Sequence, residues 1–303
     1  MRSIQLGLVL SMVEAPQTGV AQRWTEIRDS AIAAEKLGFD TVWLADELLW
    51  SDPDWPGPRG WWECVAMASA LAASTSRIGI GTWVLSALHR NPALSAKIVE
   101  TIDEISNGRF ILGYGSGHAG KQGRMFGYSE DKTIGRYEDA LQVLVPLLRE
   151  GRVEHDGPYH RASVEMRPRG PRPGGIPIML GGHGPRTIGL AARHADIWSC
   201  YATESSQPEA FADYLRILDE ACASIGRDPS SIGRSVGVFV DTLGDGIAEA
   251  DGLGIPLSGT AEQIADTVRE LGSMGFTRVE MMPWPASEAA FEPLGEVLRL
   301  LDA

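Results

Sequence analysis

The chain has 303 residues, of which 44% are hydrophobic and 22% charged, enough apolar surface for a large core and too regular a mixture for a disordered chain. Its 27 Lys and Arg stand against 40 Asp and Glu, a formal charge of −13, which repels phosphate backbones and anionic bilayers. Nucleic acid and membranes are thereby excluded as expected partners. Three cysteines, Cys64, Cys200 and Cys222, show no metal-ligand spacing, and their odd number fits a reducing cytoplasm with each thiol a small core residue. The first apolar run is too brief for a membrane span.

In chain order, apolar β-branched runs predict strands over 4–12, 41–45, 78–85, 109–114, 176–180, 195–200, 235–240 and 277–282. Helical periodicity predicts helices over 22–37, 62–75, 92–105, 134–150, 185–193, 207–225, 260–274 and 289–301. Residues 151–175 are polar and rich in Pro and Gly, and read as an irregular insertion between helix four and strand five. Strict alternation of eight short strands with eight helices is the pattern of a closed (β/α)8 TIM barrel, here a single domain over 1–303; an open doubly wound sheet is the runner-up.

In such a barrel the chemistry sits past the carboxyl ends of the strands. After strand four stands ILGYGSGHAG, with a literal G-x-G-x-x-G at Gly115, Gly117 and Gly120. A dinucleotide fingerprint needs a helix opening on those glycines, and no helical period begins before about residue 133. What else a strand ending in these glycines serves stays open at this point; His118 stands beside them at the strand end. After strand five, Gly181, Gly182, His183 and Gly184 precede Pro185, a turn whose helix N-terminus suits an anion; the alternative is a tight turn that needs glycine for its dihedral angles. After strand two, Asp46 and Glu47 put two carboxylates side by side, one to orient and one to exchange a proton. Trp50 and Trp55, in the long loop that follows, with Met12, Tyr201 and Trp284 at other strand ends, read as walls of a pocket for an apolar or aromatic small molecule. His155 and His160 lack the partners of a metal site, and no metal is expected.

With these residues in hand, the chain resembles the bacterial luciferase-like monooxygenase superfamily of flavin- and deazaflavin-dependent barrels. The resemblance rests on AEKLGFDTVWLADE, on TSRIGIGTWVLSALHRNPALSAKIVETIDEISNGRFILGYGSGH, on IPIMLGGHGPRTIGLAARHADIWS and on SGTAEQIADTVRELGSMGFTRVEMM. It implies a cofactor phosphate at Gly181, Gly182, His183 and Gly184, and a ring held by Asp46, Trp83, Val84, Ser86, Gly115, Ser116 and Gly117, with a non-prolyl cis peptide near Val84 to Ser86. It further implies coenzyme F420 as first choice and FMN as second. The F420 enzyme would transfer a hydride; the FMN enzyme would use reduced flavin and oxygen, with a separate reductase as partner. A homodimer is the family habit. In the deazaflavin subgroups the pair after strand two is usually Asp-His, and here it is Asp46-Glu47. The proton-exchanging role therefore passes to Glu47, to His118, or out of the protein altogether in a non-catalytic flavin-binding homologue.

Overall fold

The computed structural model describes residues 2–15, 18–50, 57–117, 121–244, 246, 254–284, 286 and 288–303, with the side chains of 121 and 288 outside the description. Its parallel strands form a closed eight-stranded barrel with a helix after each strand. The strands are β1 (Gln5–Val9), β2 (Thr41–Leu44), β3 (Gly79–Thr82), β4 (Phe110–Gly115), β5 (Ile178–Gly181), β6 (Ile197–Tyr201), β7 (Gly233–Asp241) and β8 (Arg278–Pro283). The helices are α1 (Trp24–Leu37), α2 (Cys64–Ser74), α3 (Pro92–Ile105), α4 (Thr133–Glu150), α5 (Pro185–His194), α6 (Ala212–Ser224), α7 (Ala261–Ser273) and α8 (Phe291–Asp302). No helix among the described residues is long and apolar enough to cross a membrane.

Two compact units make up the chain. The first comprises Met1–Leu10, Asp29–Trp43 and Gly182–Ala303. Within it β1 pairs in parallel with β2 and β8, and β7 pairs with β6 and β8. A charged group sits in its core: Glu280, with no exposed surface, accepts from Ser235 Oγ at 3.0 Å, from Arg278 Nε at 2.9 Å and from the Trp43 indole. The Arg278 guanidinium also donates to Thr41 Oγ1 at 2.7 Å and lies 5.4 Å from the centre of the Trp43 ring. A buried ion survives only when its oxygens and protons are all engaged, and this network engages them. Gly7 is required beside it, because a Cβ there would lie 1.7 Å from Glu280 Oε2. At the N-terminus of α7, Thr260 and Gln263 form a reciprocal capping box.

The second unit comprises Ser11–Arg28 and Leu44–Gly181. Within it β4 pairs in parallel with β3 and β5. Asn91 caps α3, accepting from Ala93 N at 2.9 Å, with Pro92 in the first turn where no N–H is missed. The span 151–175 is not wholly irregular: Arg152–Asp156 and Arg161–Glu165 form an antiparallel hairpin. Only Val153 of the two strands is buried, so the sequence there carries almost no apolar alternation to read. A five-residue helix, Lys121–Met125, also stands where no helical period is legible. It is one turn long and fixed by tertiary contacts of Gln122.

Candidate active site

In the second unit the site is built around Asp46, two residues past β2. Its side chain is wholly buried and both oxygens are occupied. Oδ2 accepts from Ser86 N at 2.8 Å and from Arg90 Nη1 at 2.6 Å; Oδ1 accepts from Arg90 Nη2 at 3.0 Å. His89 Nδ1 approaches Oδ2 to 3.4 Å. Burial alone would raise the Asp46 pKa, but the nearby His89 ring, the Arg90 hydrogen bonds and the Arg90 charge outweigh it and hold the carboxyl below its ordinary value. Asp46 is therefore an anion at neutral pH. Arg90 also binds Glu63, whose other oxygen caps α2 by accepting from Ala66 N at 2.6 Å. A chain of charges thus runs from the end of β2 through Arg90 to the start of α2.

What Asp46 holds is the segment after β3. The peptide Trp83–Val84 is cis, close to where the family resemblance places one. Trp83 N donates to Leu44 O at 2.7 Å, and Ala87 N donates to Gly115 O at 2.9 Å. Leu85 and Ser86 pair in parallel with Tyr114 and Gly115. Two of the glycines after β4 serve this segment: a Cβ on Gly115 would lie 2.5 Å from Val84 Cγ2, and one on Gly117, at φ +80°, would lie 2.4 Å from Ser86 Oγ. Their missing side chains are filled by the chain itself, so the flat surface on offer is the half-buried 83–84 segment rather than bare glycine backbone. Ser116 is half-buried beside it.

Glu47 is partly exposed and accepts from the Gln122 amide. The Gln122 carbonyl oxygen accepts in turn from Leu48 N at 2.7 Å and Leu49 N at 3.1 Å. Trp50 and Trp61 pair at 6.4 Å between ring centres, on an antiparallel bridge of residues 49–50 with 59–60. Met12 is a correction: it has no exposed surface and is core, leaving no face for a substrate in this conformation. Trp55 and His118 lie outside the described residues. Among the described residues no three His, Cys, Asp or Glu side chains are placed to hold a metal.

In the first unit the turn of Gly182, His183 and Gly184 joins β6 through two bonds: Gly182 N donates to Ser199 O at 3.0 Å, and Trp198 Nε1 donates to Gly182 O at 3.0 Å. His183 Nε2 lies 3.0 Å from Tyr201 O and 3.2 Å from Tyr201 N, and its ring meets Tyr201 edge-on at 4.5 Å. Burial lowers its pKa against the opposing bond to the Tyr201 carbonyl, so the ring is neutral at pH 7 and brings no charge to a phosphate. Its evident work is to fasten the turn. Gly184 caps α5 with extended dihedral angles and no side-chain bond to the first turn. Backbone N–H groups at a helix start of this kind can bond an anion. Tyr201 is 47% exposed, and Trp284 is half-buried with its N–H on Val240 O at 3.0 Å.

Arg90, His89, Glu63 and Gln122 were not singled out by sequence reasoning. Arg90 lies 44 positions from Asp46, and no periodicity links them. The one available signal was the cluster His89-Arg90 just ahead of the Asn91 cap.

Residues 4–251 match the luciferase-like monooxygenase family. The F420-dependent glucose-6-phosphate dehydrogenase of Nocardia farcinica is 32% identical over 252 residues, 78% of this chain and 71% of the relative. The chain belongs to the luciferase-like monooxygenase family. Its fold recurs in an F420-dependent secondary alcohol dehydrogenase holding an F420-acetone adduct, with a TM-score of 0.82, 19% identity and 99% of each chain covered. It recurs equally in a riboflavin lyase holding a modified FMN, with a TM-score of 0.81, 17% identity, 99% of this chain and 92% of that one. Luciferase-like barrels of one shape therefore serve both coenzymes, and shape alone does not choose between them.

Proposed function

We propose that this chain is an oxidoreductase that uses coenzyme F420 to move a hydride to or from a small organic molecule. The observation that carries this reading is the sequence similarity to an F420-dependent dehydrogenase across 78% of the chain, where the fold is neutral between deazaflavin and flavin. The substrate read from Trp50, Tyr201 and Trp284 is apolar or aromatic.

The residues present suit the coenzyme in each unit separately. In the first, the N-terminus of α5 takes phosphate: its cap residue, Gly184, has no side chain to bond the first turn, and a Cβ there would meet nothing nearer than 3.9 Å. In the second, the 83–86 segment takes the ring, fixed by Asp46 and packed from behind by Gly115. The bound deazaflavin supplies a two-electron hydride acceptor or donor. The protein supplies position: Asp46 and Arg90 fix the segment before any ligand arrives, which removes reorganisation from the reaction. Glu47, held by Gln122 and adjacent in sequence to Asp46, is a proton-exchanging candidate.

The remaining parts of the reading are a homodimer of this chain, cytoplasmic residence in keeping with three buried free thiols, and a separate reductase or dehydrogenase that recycles the coenzyme. The fold's second use, with FMN, gives the competing outcome: a monooxygenase fed with reduced flavin. Titration of the purified chain with F420 and with FMN, oxidised and reduced, followed by absorbance and fluorescence, decides between them. Micromolar or tighter F420 binding supports the proposal; tight FMN binding with none for F420 overturns it.

A further inference from the structure

The resemblance leads one to expect an imidazole directly after the strand-two aspartate, and this chain has Glu47 there. We propose that the imidazole is supplied instead by His89, oriented by Asp46, and that it exchanges the substrate's proton. This rests on the F420 reading above.

Four observations lead to His89. Its side chain is 3% exposed, and Nδ1 is sealed from solvent with Asp46 Oδ2 as its facing acceptor at 3.4 Å. That spacing is long for a hydrogen bond, as it commonly is in ligand-free sites whose bonds tighten when substrate binds. Second, Asp46 is an anion fixed by Arg90 and Ser86, so it can orient Nδ1–H and stabilise an imidazolium without itself taking the proton. Third, the charged groups that face the ring are placed for an orienting role: Asp46 lies against Nδ1, Arg90 is paired to Asp46, and Glu63 is paired to Arg90. The Tyr128 ring, 5.7 Å from the imidazole, is the other titratable neighbour. Fourth, Glu47 is already engaged by Gln122, whose remaining oxygen secures the Leu48 and Leu49 amides.

The other carboxylate-histidine pair among the described residues, Asp139 with His155 at 2.8 Å, does a different job. Asp139 also accepts from Tyr159 N at 3.0 Å and His160 N at 2.7 Å, closing the turn of the 152–165 hairpin.

In the alcohol-oxidising direction, His89 Nε2 would take the hydroxyl proton, and an oxidised deazaflavin, when bound, would supply the acceptor for the carbon's hydride and its electron pair. The carbonyl forms, and the imidazolium returns its proton to solvent. The reverse direction runs the same transfers backwards.

The test uses His89→Asn, because an Asn amide can still donate toward Asp46 but cannot carry a proton. Full-length wild type and H89N are compared with F420 using 2-propanol and glucose 6-phosphate as alcohol probes, with circular dichroism to verify folding. The expected result is unchanged F420 affinity, KM within about threefold, kcat lower by roughly 100-fold or more, and loss of the acidic limb of the pH profile. Wild-type kcat and profile in H89N overturn the proposal. H89Q, which places its amide nearer Nε2, repeats the comparison if H89N fails to fold. A measurement independent of turnover is the histidine nitrogen spectrum of labelled wild type and D46N. His89 is expected as the Nδ1–H tautomer in the first and to lose that preference in the second. An Nε2–H tautomer in wild type overturns the proposal even where neither alcohol reacts. Failure of wild type to bind F420 refutes the coenzyme assignment instead, so the two failures are told apart.

Discussion

Replacing Gly184 by Asp separates anion binding from folding. Gly184 is the N-cap of α5, at φ −80° and ψ 151°, the extended geometry in which Asp is a favoured cap. An added Cβ meets nothing nearer than Thr187 Oγ1 at 3.9 Å, so the side chain fits without repacking. Its carboxylate would accept from first-turn N–H groups, to which Gly184 itself offers no side-chain acceptor, and it would complement the helix dipole, a gain of about 0–1 kcal/mol over Gly. A phosphate at the same donors meets the opposite: its partners are taken and a like charge faces it. Two unit charges about 4 Å apart repel by about 4 kcal/mol at an effective dielectric near 20. The exposure of Gly184 screens part of this, leaving about 1.4–2.8 kcal/mol, or 10- to 100-fold weaker F420 binding. The assay is fluorescence titration of wild type, G184A and G184D with F420, beside thermal unfolding without ligand. G184A keeps the N–H and adds no charge, and is expected to bind within about threefold of wild type. A G184D protein that is as stable as wild type and binds F420 just as tightly refutes the placement of the phosphate at this turn.

Three further substitutions test the scaffold. Asp46→Ala strands Arg90 with only Glu63 and is expected to cost about 3–5 kcal/mol, read by chemical denaturation. Because the folded Asp46 pKa lies below its ordinary value, its contribution is present above the unfolded pKa of about 3.9 and lost as pH falls through the folded value; the gap between wild type and D46N should narrow below about pH 4, and a pH-independent gap would contradict the ionised assignment. Gly7→Ala drives a Cβ to 1.7 Å from Glu280 Oε2 and 2.3 Å from Trp43 Nε1, two groups that are locked in place, and should cost at least about 3 kcal/mol or prevent soluble expression. Gly115→Ala meets Val84 Cγ2 at 2.5 Å and should cost about 1–3 kcal/mol, with part recovered in G115A/V84A; strict additivity in that double-mutant cycle would show the two sites to be uncoupled.

The barrel was legible because its signals are local. Short apolar strands, Pro92 and Pro185 at helix starts, and the Thr260 cap each announce themselves within a few residues, and the eight strands lie within a few positions of their expected bounds. The 152–165 hairpin was not legible, since its faces meet solvent and only Val153 is buried. The candidate residues of each unit divide along the same line. The turn through Gly184 is a local motif and could be read. The partners of Asp46 come from residues 86–90, brought near by two parallel strands, and no spacing rule connects them. The resemblance puts a ring against the glycines at the end of β4, but what fills their space, Val84 and Ser86, is a tertiary fact.

The two carboxylates after β2 turn out to have unlike environments, and that difference constrains the chemistry. Asp46 is sealed, doubly bound to Arg90 and held ionised; a group that cannot be protonated near neutrality cannot relay a proton, so its influence is geometric and electrostatic. Glu47 is partly exposed but committed to Gln122, which also secures two backbone amides. Removing the Glu47 carboxylate therefore loosens a loop as well as removing a base, and a fall in turnover in Glu47→Ala would not by itself identify a proton carrier. Glu47→Gln retains a side-chain oxygen that can accept from the Gln122 amide while it cannot take up a proton. If Glu47 is the proton carrier, E47Q loses kcat by about 100-fold or more; if His89 is, E47Q keeps most of its turnover while H89N loses it. The pair of isosteric variants thus assigns the proton to one side chain, which neither alanine substitution does.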